Sequence, residues 1–509
     1  MSTLRRWLTV FLVVGFVVIA MLVRLETVPA PWWDEGWTLS VARNWVELGH
    51  YGRLLMGEPV PRGLEAAFPV TGSVALSFRL LGVGLYQGRL VFVVFLLISL
   101  ALIFYLSCRF YNCRIGLATL AVLMLMSGHA DIHPLIIGRQ VLGEVPALFF
   151  LLAGYVCFLW AGERGVSYTV GAIFFWSLAL ITKVQVVPFW LASMILSLAL
   201  ALFQRRWSLA RLFFTALLGA PLLGFCWQIL ISQILPPASS SVSGLYQVVA
   251  LAFYKEIRLA TLATILLCGL PTLFGFAWMI RGSILRQVYV KTHLDAVRIA
   301  YLIMAGSWFT WYALASVGLP RYLFFPAFLG SIFVAKMLAD WTGGFRVAIS
   351  LQNAALALTR LHLSGRNLSA LAAVLLIVWS LTRSIMTLIV VHPLTADNSV
   401  VDVVQYLHSE TTADAVIETY ESELHFFLDR RFHYPPDQIH VELIRRSAFG
   451  AQVAIDYDPL AADPDYVVIG FINHHWRLYD RYLTNDKFEL VKLFRRYAVY
   501  KRIRRSDGP

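Results

Sequence analysis

The sequence predicts a polytopic α-helical membrane protein, with about eleven transmembrane helices and a small α/β domain at its C-terminal end. Three observations carry this prediction. Of 509 residues, 59% are hydrophobic and 14% charged, where a soluble domain has about 45–50% and about 25%. Apolar runs of roughly 18 residues or more, each able to cross about 30 Å of hydrocarbon, recur along the first three quarters of the chain. Beyond residue 391 the chain turns polar, and strand-like and helix-like patterns follow one another.

The spans are expected near 7–24, 89–107, 115–129, 145–160, 168–182, 185–203, 212–233, 259–280, 299–317, 321–339 and 368–391. The run from Trp7 to Val23 follows Arg5 and Arg6 but is long for a signal peptide, so it reads as an uncleaved first helix. The third and fifth spans are short, which suits tilted or partly re-entrant helices. Basic residues fall in alternate loops: Arg5/Arg6, Arg109/Arg114, Arg164, Arg205/Arg206/Arg211, Arg281/Arg286/Lys291 and Arg346/Arg360/Arg366. Such loops stay in the cytoplasm. The N-terminus is then cytoplasmic. Loops 25–88, 130–144 and 234–258, the turns at Lys183 and Pro320-Arg321, and everything after 392 are extracytoplasmic. The division is a transmembrane catalytic domain, 1–391, and an extracytoplasmic soluble α/β domain, 392–509.

The same rule accounts for the formal net charge of +12 without nucleic acid as a partner. The five cysteines, Cys108, Cys113, Cys157, Cys226 and Cys268, lie in apolar spans or short basic loops. None follows residue 268, so the polar region has no disulfide framework, and no pair has metal-ligand spacing.

Within loop 25–88, Glu35–Leu48 reads as a helix. Trp37, Val41, Trp45 and Leu48 share one side, and Gly49 stops it. Residues 73–82 read as a second short apolar helix. Both are expected in the membrane interface with the apolar face down, and Trp32 and Trp33 suit an aromatic belt. Loop 234–258 opens with Pro236-Pro237 and Ser239-Ser240-Ser241 and is expected to be mobile and to cover a site. After 392, Val400–Ser409 and Ser422–Arg430 read as helices. Ala415–Tyr420, Tyr466–Gly470, Phe488–Phe494 and Ala498–Ile503 read as strands. That region has no nucleotide-binding glycine signature, and the chain has no internal repeat.

Ionisable groups near a membrane face carry the functional signal. Pro31-Trp32-Trp33-Asp34-Glu35 ends the first span. Its two carboxylates can serve an acid/base step or hold a divalent ion; alternatively Asp34 is the N-cap of the following helix and Glu35 a first-turn acid. Gly138-Arg139-Gln140-Val141-Leu142-Gly143-Glu144 opens the fourth span, and Arg139 can pair with Glu144 or meet a phosphate; the bland alternative is a snorkelling Arg. Asp131 and His133 lie just upstream. Asp34, Glu144 and His133 could form an oxygen/nitrogen metal site, or simply be polar loop residues. Lys183, Arg258 and Arg321 are cations on the face where cations are disfavoured. Lipid phosphate explains them, and so does a role as interface anchors.

At these residues the chain resembles the GT-C glycosyltransferases. This polytopic group includes the bacterial protein O-mannosyltransferase and aminoarabinose transferase-like proteins. The resemblance covers the membrane part and rests on the Asp34-Glu35 pair after the first span with the interfacial helices that follow it, Arg139 followed by Glu144, Pro320-Arg321-Tyr322 followed by Pro326, and a C-terminal extracytoplasmic domain. It implies transfer of a sugar from a polyprenyl-phosphate donor to an acceptor hydroxyl on protein, lipid or glycan, at the extracytoplasmic face of the cell membrane. It implies Asp34 as the catalytic carboxylate, with Glu35 and Glu144 orienting it, binding acceptor or holding an ion. Arg139 and Lys183 are then expected at the donor phosphate, and Arg321, Arg258 and Tyr322 are expected with them among the substrate-binding residues. No cofactor is required, and a divalent metal ion is optional. The rival class is a lipid or glycolipid transporter or flippase, whose polar groups belong near the bilayer midplane of two related halves. A third is a non-catalytic assembly protein whose outer domain binds a partner.

Overall fold

The computed structural model describes residues 15, 17–61, 63–235, 252–285, 290–359, 364–394, 397–483 and 487–503. Half of the predicted first span, 7–24, lies outside the described residues, and so does most of the loop expected to cover a site. Each of the other ten spans coincides with a helix. Among the described residues, seven helices are long and apolar enough to cross a membrane: Leu85–Phe110, Glu144–Arg164, Val186–Phe203, Trp207–Ile234, Lys255–Gly282, Pro320–Trp341 and Gly365–Val390. His293–Ala315, with 23 residues, completes the long set. Cys113–Leu125 and Ser167–Thr182 have 13 and 16 residues. At 1.5 Å per residue they reach only about 20 and 24 Å, short of the hydrocarbon thickness.

Burial separates the centre of the bundle from its rim. In Pro320–Trp341, 89% of the apolar window is buried, against 22% in Trp207–Ile234 and in Gly365–Val390. The central helix packs Phe324, Phe325, Phe328, Ile332 and Phe333 into a core shared with Trp176, Trp190, Tyr301 and Trp308. The outer helices leave Leu218, Leu222, Phe225, Leu375 and Val378 exposed. Apolar side chains all round a helix suit a lipid surface. The helix Val347–Thr359 was not expected; it sits in the loop before the last long helix.

The first helix of loop 25–88 spans Trp33–Glu47, with Trp32 as N-cap. It does not lie with one apolar face on the membrane. Trp33 and Trp37 point into the aromatic core of the C-terminal region, while Leu39 and Ala42 point into the bundle core. The helix is thus a slab between two bodies, which its weak amphipathic pattern could not reveal. An antiparallel pair follows, β1 Arg53–Leu55 and β2 Glu58–Val60, and then the helix Phe68–Leu81.

The C-terminal region carries a five-stranded sheet in the order β4-β3-β5-β7-β6. Here β3 is Val416–Thr419, β4 Arg431–His433, β5 Tyr466–Ile469, β6 Phe488–Leu493 and β7 Ala498–Arg502. Strands β4, β3 and β5 run parallel, and β7 and β6 are antiparallel. The helix Ser399–Glu410 lays Val400, Val403, Val404 and Leu407 on Ile417, Val468 and Val499 of the sheet. Those four positions follow the helical period, which is why that helix was legible. The short helix Ser422–Phe427 docks against Trp33–Glu47. A Cβ on Gly36 would lie 2.2 Å from the Ser422 backbone, so only glycine permits this approach. Trp33 Nε1 donates to the Tyr420 carbonyl at 2.7 Å, and the Ser422 hydroxyl donates to the Trp33 carbonyl. Arg43 donates to the Phe426 carbonyl at 2.9 Å and to Asp429 at 2.5 Å.

Candidate active site

Polar groups are few within long apolar helices and gather in the loops at their ends. At one end of the bundle those loops converge on a cavity of about 650 Å³. The Trp33–Glu47 helix supplies Asp34 and Thr38, and the start of the 144–164 helix supplies Glu144. Lys183 comes from the turn between two spans, and Arg321 and Tyr322 come from the first turn of the central helix. Residues 64–67 close one side, and Ile181, Val184, Pro188, Phe189 and Trp311 form an apolar side.

The charged groups form one chain of ion pairs. Arg321 Nη1 bonds to Asp34 Oδ2. Arg321 Nε lies 3.4 Å from Glu144 Oε1, and Lys183 Nζ lies 2.5 Å from the same oxygen. Two carboxylates therefore meet two cations, and the four charges cancel. Their burial is unequal. The Glu144 side chain is almost fully enclosed, whereas Asp34 keeps a third of its side-chain surface open. Burial by itself would push the Asp34 carboxyl up, but the Arg321 charge and hydrogen bond outweigh it and hold the group below the ordinary aspartate range. Asp34 is thus an ionised, reachable carboxylate, and Glu144 is a buried anchor for the two cations.

Asp34 is not the helix cap that sequence alone allowed. Trp32 takes that place, and its N–H is accepted by Glu35 Oε2 at 3.0 Å. Glu35, expected in the catalytic group, is corrected by the structure: it lies behind the cavity wall with no exposed side-chain surface. Arg89 donates to both of its oxygens, at 3.0 and 2.6 Å, and to the carbonyls of Leu25 and Pro29 at 2.8 Å. The Val141 N–H also donates to Glu35, at 2.8 Å. Glu35 thus ties the start of the Trp33–Glu47 helix to the first long span and to the 139–144 loop. Arg89 was missed in the sequence, although a cation at the disfavoured end of an apolar span was a usable signal.

Three other expected residues lie away from the cavity. Arg139 turns towards the first span, donating to the carbonyls of Ala20 and Val23, and burial pushes its guanidinium down to about 10. Arg258 donates to the Ala313 carbonyl at 3.0 Å, at the end of helix 293–315, where a cation also favours the helix dipole. His133 caps the turn Pro134–Ile137 by accepting the Leu135 N–H at 3.2 Å, and burial pushes it down to about 4. The metal site drawn from Asp34, Glu144 and His133 therefore does not form. Among the described residues no three His, Cys, Asp or Glu side chains gather as a metal site. Arg321 already occupies the space between the two carboxylates, so this donor set does not fit a divalent ion.

No family model matches the chain, and no curated protein matches it. Similarity appears in solved structures. The chain has the GT-C type of fold, a bundle of membrane helices joined to a C-terminal α/β unit. It superposes on ArnT from Cupriavidus metallidurans bound to undecaprenyl phosphate with a TM-score of 0.61, 14% identity and 99% of both chains covered. The apo form of that ArnT gives 0.63, 15% identity and 98% of both chains. The apo oligosaccharyltransferase of Archaeoglobus fulgidus gives 0.55 and 11% identity, over 93% of this chain and 71% of that one. At such identities the likeness is one of fold, so chemistry rests on the cavity.

Proposed function

We propose that the protein is a membrane glycosyltransferase that moves a sugar from a polyprenyl-phosphate donor to an acceptor hydroxyl on the extracytoplasmic face of the cell membrane. One observation carries the reading: a reachable carboxylate and two cations from three distant chain segments share a cavity with apolar lining. Paired acid and cation is what removal of a proton beside a phosphate leaving group requires. The solved ArnT with undecaprenyl phosphate, of the same fold, supports a lipid phosphate as the donor's leaving part.

In this mechanism the isoprenoid chain rests on Ile181, Val184, Phe189 and Trp311, with its phosphate at Lys183 and Arg321. As phosphate draws Arg321 away, the Asp34 carboxylate loses its partner and becomes a better base. It takes the proton of the acceptor hydroxyl while that oxygen attacks the anomeric carbon. The bond from the anomeric carbon to the phosphate oxygen breaks, and its electron pair leaves on the polyprenyl phosphate. Lys183 and Arg321 stabilise that growing charge in a site partly screened from water. One displacement inverts the anomeric configuration. Glu144 holds both cations in position, and no step uses a metal ion. The acceptor hydroxyl belongs to a protein, a lipid or a glycan.

The orientation follows from charge. Arg109, Arg164, Arg205, Arg206, Arg281 and Arg346 lie at helix ends opposite those that supply the cavity, and the tendency of such cations to stay in the cytoplasm supports a cavity and C-terminal unit on the outside. A flippase fits less well, because the ionisable cluster sits at one end rather than at the midplane.

The test is Asp34→Asn in purified protein given a polyprenyl-phosphate sugar. Release of polyprenyl phosphate should fall about 10²–10⁴-fold, the usual contribution of a positioned base, while the protein remains folded and monodisperse. Turnover within a few-fold of the unaltered protein would remove Asp34 from this role.

A further inference from the structure

The side of the cavity formed by residues 64–67 is not self-supporting. Its backbone is fastened to the C-terminal region through one buried ion pair. Arg53, on β1, donates to both oxygens of Asp437, at 2.8 and 2.6 Å, and both side chains are almost fully buried. Asp437 opens the helix Asp437–Phe449, and its Oδ2 also accepts the Leu64 N–H at 3.1 Å. Gly63 lies so close to this pair that an added Cβ would sit 1.7 Å from Asp437 Oδ2 and 2.0 Å from Arg53 Nη2. The loop is pressed onto the ion pair, and a side chain at 63 would have to displace the ends of both partners. At its other end the Ala66 N–H donates to the Thr38 hydroxyl at 3.3 Å. That hydroxyl lies 3.4 Å from the Asp34 carbonyl, one turn along the helix. The loop is thus pinned at both ends, to the C-terminal region and to the helix that carries Asp34.

What this clamp holds in the cavity lining is Glu65, whose side chain keeps only 4% of its surface open. Its Oε2 accepts the Gly63 N–H at 2.7 Å and lies 3.6 Å from Arg53 Nε. Lys183 and Arg321 line the same cavity from other segments. A cavity-lining carboxylate clamped by its own loop is suited to accept hydrogen bonds from the hydroxyls of a bound sugar. Charge-assisted bonds of that kind are the strong ones.

We infer that Glu65 is a specificity-determining residue that binds hydroxyls of the sugar carried on the donor. We further infer that Arg53 and Asp437 are positioning residues through which the C-terminal region sets it in place. This deepens the proposed function and rests on it.

The experiment measures binding of two probes to full-length protein in nanodiscs: undecaprenyl phosphate, and undecaprenyl phosphate bearing a hexose. Removing the carboxylate with Glu65→Ala should weaken the sugar-bearing lipid about 10-fold or more, the usual cost of losing a hydrogen bond to a charged group. Undecaprenyl phosphate should change by less than about 2-fold, since it makes no such bond. Glu65→Gln, which keeps an acceptor oxygen, should recover part of the loss. Asp437→Asn should weaken the sugar-bearing lipid selectively, in the same sense. Equal weakening of both lipids by Glu65→Ala, or no weakening of either, overturns the inference. Lys183→Ala and Arg321→Gln separate this failure from that of the parent reading. If they too leave undecaprenyl phosphate binding intact, the phosphate is not in this cavity, and the proposed function falls with the inference.

Discussion

At the scale of single residues, two neighbouring acids do opposite work, and their surroundings decide which does what. Asp34 is open to the cavity and paired with a cation that a phosphate can draw away. Glu35 is sealed behind it and locked to Arg89 by two hydrogen bonds. Removing one partner of a buried pair costs about 3–5 kcal/mol, because the other charge is left without compensation. Glu35→Gln should therefore lower the unfolding midpoint and the yield of monodisperse protein. A well-folded Glu35→Gln variant that had lost only turnover would restore Glu35 to the catalytic group. The Asp34 charge makes a separate prediction. Arg321 holds the Asp34 carboxyl below its ordinary value of 3.8, so the base remains ionised into acid. Arg321→Gln removes the cation that outweighs burial, and the Asp34 value rises. The acid limb of the kcat/KM profile, followed on residual transfer, should then move to higher pH. An unmoved limb would mean that another group sets it. For stability the sign is the same as for any depressed acid: the contribution is present above 3.8 and is lost as pH falls through the folded-state value.

Among the elements, the Trp33–Glu47 helix is the hinge of the account. It presents Asp34 to the cavity, Glu35 to Arg89, Gly36 to the C-terminal region and Thr38 to the 64–67 loop. Gly36→Ala must push Ser422 away, an overpacking that costs about 1–3 kcal/mol. It should lower turnover as well as stability, since the same movement tilts Asp34. A variant with full activity and an unchanged unfolding midpoint would show that the docking is looser than drawn. The sequence announced this helix but not its burial. Its Trp and Val positions are compatible with a lipid face, and the surface that covers them comes from residues 420–427, almost 400 positions away. The same reason hid Glu65 and the Arg53–Asp437 pair. Each is ordinary in its own stretch of chain and becomes informative only when two distant segments meet. Strand β4 and the helix Asp437–Phe449 were also missed; Pro435-Pro436 between them reads as loop.

For the whole molecule, hydropathy settled most of the architecture, because each span is an independent test of length against hydrocarbon thickness. Ten of the eleven expected spans are helices, and the C-terminal strands at 416–419, 466–469, 488–493 and 498–502 fall where their patterns placed them. Convergence was less legible. Asp34, Glu144, Lys183, Arg321 and Tyr322 line one cavity, while Arg139, Arg258 and His133 serve helix ends and loops elsewhere. In the sequence both groups look alike, as polar residues near one membrane face. What separates them is the group each one meets: an opposite charge or the cavity for the first set, a backbone carbonyl or loop N–H for the second.

The central claim is that Lys183 and Arg321 receive a lipid phosphate beside Asp34. It is tested most directly by an electron cryomicroscopy structure of the full-length protein with undecaprenyl phosphate. The account predicts phosphate density within hydrogen-bonding reach, about 3 Å, of Lys183 and Arg321, with Arg321 drawn from Asp34 and the isoprenoid chain along Phe189 and Trp311. Phosphate seated instead at Arg139 or Arg258, with the Arg321–Asp34 pair intact, would contradict it.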